Sequence, residues 1–132
     1  MKIALISCSK NKATYRCCAQ EMYSKSSLFN KAMKYCRQHN YDLIFILSAK
    51  YGVLSPTDEI DTYDLSLNEF SLVEIANWAE KCSKFLLEYG TDSQFDFYAG
   101  KNYFKELSKR LPKTNNILQG MGIGERLRFL SA

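Results

Sequence analysis

Carboxylates and a lysine in one stretch, SAKYGVLSPTDEIDTYDLSL, are the side chains best suited to acid–base chemistry in this chain. Asp58, Glu59, Asp61 and Asp64 crowd one predicted loop, although the formal net charge of the chain is +4. A carboxylate there can hydrogen-bond a base or a sugar, or stabilise the positive charge that develops when a glycosidic bond breaks. We take Asp58, Asp64 and Lys50 as candidate catalytic residues. An ordinary solvated acidic loop is the alternative.

The segment SCSKNK supplies two cations directly after the first predicted strand. Backbone amides at such a turn, with Lys10 and Lys12 close by, suit a phosphate, and Ser9 can hold a phosphate or a sugar. The Cys8 thiol is a nucleophile if the lysines stabilise its thiolate. The alternative is a small buried cysteine beside two solvated lysines. We expect Cys8, Ser9, Lys10 and Lys12 to line a ligand site, with Cys8 as part of its wall.

Hydroxyl groups, aromatic rings and small residues mark the other strand exits and helix starts. Tyr23, Ser24 and Ser26 precede a predicted helix, whose free amides and dipole favour negative charge, although a serine there also serves as the N-cap. Small residues allow the backbone to approach a ligand, and tyrosine rings offer a surface for stacking. The candidates that follow the second and third predicted strands are Ser48, Tyr51, Gly52, Gly100 and Tyr103.

Alternating glycines in QGMGIGER precede the last predicted helix. Amides of Gly122 and Gly124 can surround an anionic group, and Arg126 can pair with it. The segment lacks the Lys-Ser/Thr of a P-loop and follows the last strand instead of the first. Tight packing of the terminal helix explains the glycines equally well.

Strands that alternate with helices are needed to bring these segments together. Apolar runs predict strands at Lys2–Ser7, YDLIFILS, QFDFYAG and NNILQG. Apolar residues at helical spacing predict helices at LFNKAMKYCRQHN, SLVEIANWAEKCSKFLLEYG, KNYFKELSKRL and GIGERLRFLSA. Ser71 and Glu74 form a capping box at the start of the longest helix.

This order of elements predicts one α/β domain over residues 1–132, a three-layer Rossmann-like domain with a four-stranded, mainly parallel sheet. In such sheets ligands bind beyond the carboxyl ends of the strands. The segments with unusual polar residues all fall at those ends. We therefore expect them to share one site.

Composition narrows the classes of function. The chain has one histidine and no Cys-x-x-Cys pair among its five cysteines, so we expect neither a metal site nor a cofactor. No apolar run is long enough to cross a bilayer and no signal peptide is evident, which predicts a cytoplasmic protein that does not bind membranes. The mild positive charge permits a nucleotide or a nucleic acid as partner. The oligomeric state is not predicted.

The segments from Cys8 to Lys12 and from Tyr23 to Phe29, with LSAKYGVL, TYDLSL and GMGIGERL, resemble a family of small bacterial and phage domains of unknown function. That family is distantly similar to the YaaA peroxide-stress proteins, through a Leu-Tyr-Gly-Leu-Leu segment followed by Pro-Tyr. It is more faintly similar to the catalytic domain of archaeosine synthase, which has a Cys-Ser-x-x-Lys-Pro-Tyr loop. Both similarities imply the handling of nucleobases or DNA.

These observations predict an enzyme that acts on a nucleoside, a nucleotide or a base in nucleic acid, at the N-glycosidic bond. In this hypothesis Ser9, Lys10 and Lys12 hold the phosphate or sugar, and Tyr51 orients the base. A non-catalytic DNA- or nucleotide-binding stress or phage protein is the alternative. A redox protein that uses Cys8 or the adjacent Cys17 and Cys18 is a weaker third possibility, because adjacent cysteines seldom form a relaxed disulfide.

Overall fold

Two buried apolar runs form the centre of the sheet. In a computed structural model that describes residues 1–132, KIALIS forms strand β1 (Lys2–Ser7) and LIFILS forms strand β3 (Leu43–Ser48). Both are continuous apolar runs because helices cover both faces of the sheet. They pair in parallel, with Ile3 opposite Leu43 and Ser7 opposite Leu47.

The remaining strands and helices alternate as the sequence predicts, with additional short strands, one short helix and a 3-10 turn. They are β2 (Cys17–Cys18), α1 (Ala19–Met22), α2 (Ser27–Arg37), β4 (Gly52–Leu54), β5 (Glu59–Ile60), a 3-10 turn (Leu67–Glu69), α3 (Leu72–Leu87), β6 (Gln94–Tyr98), α4 (Lys101–Ser108), β7 (Lys113–Asn116) and α5 (Ile123–Ser131). The predicted capping box of Ser71 and Glu74 begins α3, and Ser26 begins α2 by accepting a hydrogen bond from the Phe29 amide.

The main sheet has five strands in the order β4-β3-β1-β6-β7. The four long strands are parallel, and β4 pairs antiparallel with β3 at one edge. The predicted count of four strands was wrong, because SAKYG turns the chain back and makes GVL an edge strand. The last predicted strand begins earlier than NNILQG, at Lys113. Strands β2 and β5 form a separate antiparallel pair.

Helices pack on both faces of this mixed α/β sheet. Helices α2 and α5 contact each other on one face, and α3 and α4 contact each other on the opposite face. Phe29, Ala32, Met33 and Cys36 are the buried stripe of α2, and burial of a side chain such as Phe29 contributes about 1.5–3 kcal/mol. No helix has both the length and the apolar character needed to cross a bilayer.

The connections that follow the neighbouring strands β1 and β6 run over opposite faces of the sheet. The chain leaves β1 through α2 on one face and leaves β6 through α4 on the other face. Neighbouring strands of an open sheet whose connections depart in opposite directions leave a crevice at their carboxyl ends, which is where ligands bind in α/β proteins. The crevice here lies beyond Ser7 and Tyr98.

Candidate functional site

The segment from Cys8 to Lys12 lies at the mouth of this crevice. The Cys8 amide continues the sheet by donating to the Leu47 carbonyl at 2.9 Å. The chain then turns away, with the Ser9 hydroxyl donating to the Asn11 carbonyl at 2.7 Å and Lys12 Nζ donating to the Lys10 carbonyl at 3.3 Å. These local hydrogen bonds shape a loop that separates two cavities.

The first, which we name the apolar cavity, has a volume of about 240 Å³ and lies on the α2 and α5 side of the loop. Its floor consists of Ile6, Leu28, Phe29, Ala32, Ala99 and Leu118, with the ring of Tyr98. Its polar rim consists of Ser7, Cys8, Ser9, Lys10, Ser26 and Arg126. Such a lining suits a flat apolar group whose edge carries a few hydrogen-bonding atoms.

The second, which we name the polar cavity, has a volume of about 350 Å³ on the opposite side of the loop. Its lining is Cys8, Ser9, Lys10, Lys12, Asp64, Leu65, Ser66, Asn68, Glu69 and Tyr103. Hydroxyl groups, ammonium groups and carboxylates dominate it. The two cavities share Cys8, Ser9 and Lys10, so a single ligand can extend from one to the other around this loop.

The thiol of Cys8 contacts another residue of the polar cavity, Tyr103. Its Sγ lies 3.2 Å from the hydroxyl of Tyr103, which belongs to α4. Burial raises the pKa of Tyr103 above the ordinary tyrosine value. The contact ties the end of β1 to the helix that follows β6.

A chain of buried hydroxyl groups lies behind the site. The Tyr63 hydroxyl is 2.6 Å from the Tyr23 hydroxyl and 2.8 Å from Ser48 Oγ, which also accepts a hydrogen bond from the Tyr51 amide. Burial raises the pKa of both Tyr23 and Tyr63. Tyr23 and Ser48 are fully buried, so these two predicted ligand residues serve the hydroxyl chain and do not line either cavity.

Lysine ammonium groups surround the Tyr63 ring. Lys12 Nζ lies 4.6 Å from its centroid and Lys50 Nζ lies 5.9 Å away, the latter also 5.4 Å from the Tyr51 ring. Neither lysine, nor Lys10, has a carboxylate within 4.0 Å. Lys10 and Lys12 line the polar cavity, whereas the exposed Lys50 lies outside both cavities. The polar cavity therefore has two ammonium groups available for an anion.

The structure separates the two candidate catalytic carboxylates. Asp64 lines the polar cavity and forms no hydrogen bond or ion pair with the rest of the chain. Asp58 instead accepts a hydrogen bond from the Ser55 amide at 2.8 Å and shapes the turn before β5, outside both cavities. Arg16 pairs with Glu59 at 3.5 Å and with Asp61 at 3.1 Å.

Several predicted ligand residues lie outside the two cavities. Ser24 is exposed and donates to the Glu21 carbonyl, and Tyr51 donates to the Asp61 carbonyl. Gly52 has φ +78° at the start of β4, directly after the turn from β3, which explains the glycine without a ligand. Glycines at the starts of helices do not line the cavities either: Gly100 and Gly122 are the N-caps of α4 and α5, and Gly124 lies within α5.

Sequence reasoning missed part of the site. The segment TYDLSL gives no local signal for a role of Tyr63, which only the contacts of its hydroxyl group with Tyr23 and Ser48 reveal. Asn68 and Glu69 were missed because their 3-10 turn gives no helix-length signal. Asp96, the buried carboxylate of β6, lies outside both cavities and accepts hydrogen bonds from Tyr41, Gln94 and Asn115 at 2.7–2.9 Å. The Asp in QFDFY was the available signal for that cluster.

Comparison with known proteins gives the family of the chain. No curated protein matches the sequence. A family model described as "Family of unknown function (DUF6884)" matches residues 3–132. The match includes every residue of both cavities. The chain therefore belongs to the DUF6884 family of unknown function.

Proposed function

We propose that this protein binds a nucleoside or nucleotide at the carboxyl edge of its sheet and acts as an enzyme on the N-glycosidic bond. The observation that carries the proposal is the pair of cavities with opposite chemistry on the two sides of the Cys8–Lys10 loop. A nucleotide has the same division, with a flat base at one end and a hydroxylated, anionic part at the other. The bond between these parts would lie beside the loop.

The apolar cavity suits the base. Its volume of about 240 Å³ is below the range of about 300–1,000 Å³ that is usual for larger ligands, so it fits a fragment and not a whole nucleotide. Burial of the faces of a base against Leu28, Phe29 and Leu118 is favourable because it removes apolar surface from water. The polar rim leaves hydrogen-bonding groups for the edge of the base.

The polar cavity suits the sugar and a phosphate. Lys10 and Lys12 supply positive charge, and neither ammonium group has a carboxylate within 4.0 Å, although Asp64 and Glu69 line the same cavity. Ser66 and Asn68 line the same cavity and offer hydrogen-bonding groups to sugar hydroxyls. An anion bound there gains charge-assisted hydrogen bonds, which are about twice as strong as neutral ones.

Asp64 is the carboxylate that can act in the reaction. Glu69 is engaged, since it accepts a hydrogen bond from the Ser66 amide at 3.1 Å, whereas Asp64 has no such partner. In hydrolysis Asp64 would accept a proton from water as the water oxygen bonds to C1′ of the sugar. The C1′–N bond breaks with its electron pair on the base nitrogen, which takes up, through solvent, the proton that Asp64 accepted, so that Asp64 is again a carboxylate. The negative charge of Asp64 would stabilise the oxocarbenium-like transition state.

One observation favours the alternative, a non-catalytic binder of nucleotides or DNA. Asp64 is exposed in the structure. A carboxylate surrounded by water exerts a weaker field on a reacting group than one in a dry site. The same two cavities would then hold the ligand without chemistry.

The experiment is incubation with a panel of nucleosides, nucleotides, DNA and tRNA, with released bases detected by mass spectrometry. Turnover by the native protein that Asp64→Asn abolishes supports the enzyme. Asp92→Asn is the matched control, because Asp92 is exposed just before β6, at the opposite edge of the sheet. Binding without release of a base at every pH tested contradicts the enzyme and leaves the binder.

The proposal also includes a Rossmann-like arrangement, kinship with known families and a cytoplasmic location. The parallel strands lie in the order second, first, third and fourth along the chain, and this order supports a Rossmann-like arrangement. Kinship with the YaaA proteins or with archaeosine synthase stays a prediction, which nucleobase chemistry would support. The five cysteines form no disulfide, which agrees with the reducing environment of a cytoplasm.

A further inference from the structure

The charged side chains at the rim of the apolar cavity are hydrogen-bond donors. Arg126 and Lys10 can only donate, and no Asp, Glu, Asn or Gln side chain lines this cavity. The Ser26 hydroxyl already accepts a hydrogen bond from the Phe29 amide at 3.2 Å, which leaves its proton to donate. A ligand edge beside Arg126, Lys10 and Ser26 therefore meets donors, whereas Ser9 uses its proton for the Asn11 carbonyl and can only accept.

Arg126 is held in place with its terminal nitrogens unused. Its Nε donates to the Met121 carbonyl at 3.0 Å, which fixes the start of the guanidinium group. Neither terminal nitrogen has a hydrogen-bond partner in the protein, and no carboxylate lies within 4.0 Å of the group. The side chain is half-buried on the first turns of α5. A guanidinium group in this state can offer two parallel donors to one ligand.

We propose that the apolar cavity selects 6-oxopurines over 6-aminopurines, with Arg126 as the residue that determines this specificity. The inference rests on the proposed function, since it names the class of base that the cavity receives. The edge of a 6-oxopurine presents two acceptors, O6 and N7, which match the two terminal nitrogens of an arginine. In a 6-aminopurine the exocyclic amine replaces O6 and directs its hydrogens at the guanidinium group.

The preference for 6-oxopurines comes mainly from the cost of binding a 6-aminopurine. At Arg126, the amine of adenine would face donors and lose the hydrogen bonds that it makes with water, and an unpaired buried donor is costly. A bidentate contact between arginine and a purine typically discriminates by a factor of about 5 to 150. We expect a preference within this range.

A phosphate at Arg126 is the competing occupant of the rim. The apolar floor argues against it, since Ile6, Ala32 and Leu118 give a phosphate no hydrogen bonds. The polar cavity also offers Lys10 and Lys12 to the phosphate. If Arg126 held a phosphate, its loss would weaken every nucleotide equally and leave nucleosides unaffected.

The test uses inosine and adenosine, which differ at C6, where one carries an oxygen and the other an amine. Their dissociation constants are measured by calorimetry for the native protein, for Arg126→Gln and for the control Arg128→Gln. Arg128 is exposed on the same helix and lines neither cavity. We expect inosine to bind at least about fivefold more tightly than adenosine. This preference is lost in Arg126→Gln, since glutamine can both donate and accept, and persists in Arg128→Gln.

Thermal unfolding of Arg126→Gln confirms that the variant is folded, and Arg126→Lys is the second variant. A lysine keeps the charge but lacks the planar pair of donors, so it retains binding of inosine 5′-monophosphate and loses most of the preference. Equal affinity of the native protein for inosine and adenosine overturns the inference. An equal loss of affinity for inosine and for adenosine in Arg126→Gln also overturns the inference.

The two proposals fail in different ways. A preference for inosine without release of any base supports the inference about the cavity and contradicts the N-glycosidic enzyme. Release of adenine from adenosine and of hypoxanthine from inosine with the same kcat and the same KM supports the enzyme and contradicts the inference. Absence of binding for inosine, adenosine and inosine 5′-monophosphate at millimolar concentration contradicts both proposals.

Discussion

The hydroxyl of Tyr63 lies 2.6 Å from the hydroxyl of Tyr23, and this contact anchors the loop that carries Asp64. Tyr23 precedes α2 and is fully buried, so it provides a fixed point in the core. Tyr63 also contacts Ser48 Oγ at the end of β3, at 2.8 Å. Asp64 follows Tyr63 directly in the sequence. The position of the candidate catalytic carboxylate therefore depends on a hydroxyl group that never reaches the cavity.

Tyr63→Phe tests this anchoring. The substitution leaves the hydroxyl of Tyr23 and Ser48 Oγ each without one partner, and we expect the free energy of unfolding to fall by about 1–3 kcal/mol. Urea denaturation measures it. Tyr89→Phe is the control, because the Tyr89 ring packs against Phe45 but its hydroxyl makes no hydrogen bond. If Tyr63→Phe and Tyr89→Phe lower the free energy of unfolding equally, the hydroxyl chain has no special role.

The same Tyr63→Phe variant also tests the position of Asp64 in the proposed reaction. We expect kcat to fall while KM changes little, because Asp64 is misplaced and the bases still bind.

Asp64→Asn and Asp58→Asn separate the two carboxylates that the sequence leaves equivalent. We expect Asp64→Asn to lower the release of base by at least about 100-fold, which is the contribution typical of a positioned acid or base. Asp58→Asn should stay within about twofold of the native rate, because an asparagine oxygen can still accept from the Ser55 amide. Mass spectrometry of the released base measures both. Equal losses in the two variants would contradict the assignment to the polar cavity.

Lys10→Ala combined with Lys12→Ala removes both ammonium groups of the polar cavity. We expect affinity for a nucleoside 5′-monophosphate to fall by roughly tenfold or more, since each charge-assisted hydrogen bond contributes about 1.5–3 kcal/mol. Affinity for the corresponding nucleoside should change much less. Lys113→Ala is the control, because Lys113 is exposed at the start of β7, at the opposite edge of the sheet. Calorimetry at two salt concentrations gives the measurement, and equal weakening of nucleoside and nucleotide would contradict a phosphate site here.

Gly52→Ala and Gly124→Ala distinguish a glycine that the backbone requires from one that it does not. Gly52 has φ +78°, so alanine should lower the free energy of unfolding by about 1–2 kcal/mol through strain. An added Cβ at Gly124 meets nothing within 4 Å, and alanine inside α5 should raise stability by up to about 1 kcal/mol. Urea denaturation measures both changes. A destabilised Gly124→Ala would show that the last helix needs its glycine for packing.

Alkaline pH should destabilise the fold, and two buried thiols contribute to this loss together with the buried tyrosines. Burial raises the pKa of Cys36 to about 12 and the pKa of Cys82 to about 12, from an ordinary value of 9.0. Between pH 9 and pH 12 the folded state keeps protons that the unfolded state releases, so stability falls as pH rises, by about 1.4 kcal/mol per pH unit for each thiol.

Cys82→Ser removes one of these titrations and serves as the test. Urea denaturation from pH 8 to pH 11 should then show a slope that is smaller by about 1.4 kcal/mol per pH unit. The overall stability of Cys82→Ser is also lower, because a hydroxyl replaces a buried thiol, so only the slope is compared. An unchanged slope would show that the Cys82 thiol does not keep its proton in the folded state.

The amino-acid sequence by itself determined the local elements. The apolar run KIALIS predicts β1 with the observed bounds, and the capping box of Ser71 and Glu74 begins α3 as predicted. These signals are readable because they depend on residues that are close in sequence: neighbouring side chains set the periodicity, and a side chain caps an amide three residues away. The edge strand Gly52–Leu54 was missed because three residues are too few to show a period.

Only the tertiary structure decided which side chains share a cavity. Asp58 and Asp64 are both acidic, both exposed and in the same loop, yet only Asp64 lines the polar cavity. Its position depends on the contact of Tyr63 with Tyr23, which lies 40 residues away in the sequence. Likewise, Cys8 meets Tyr103 across 95 residues because β1 and β6 are neighbours in the sheet. Such contacts arise from the packing of the whole chain around its core, so no local pattern of residues encodes them.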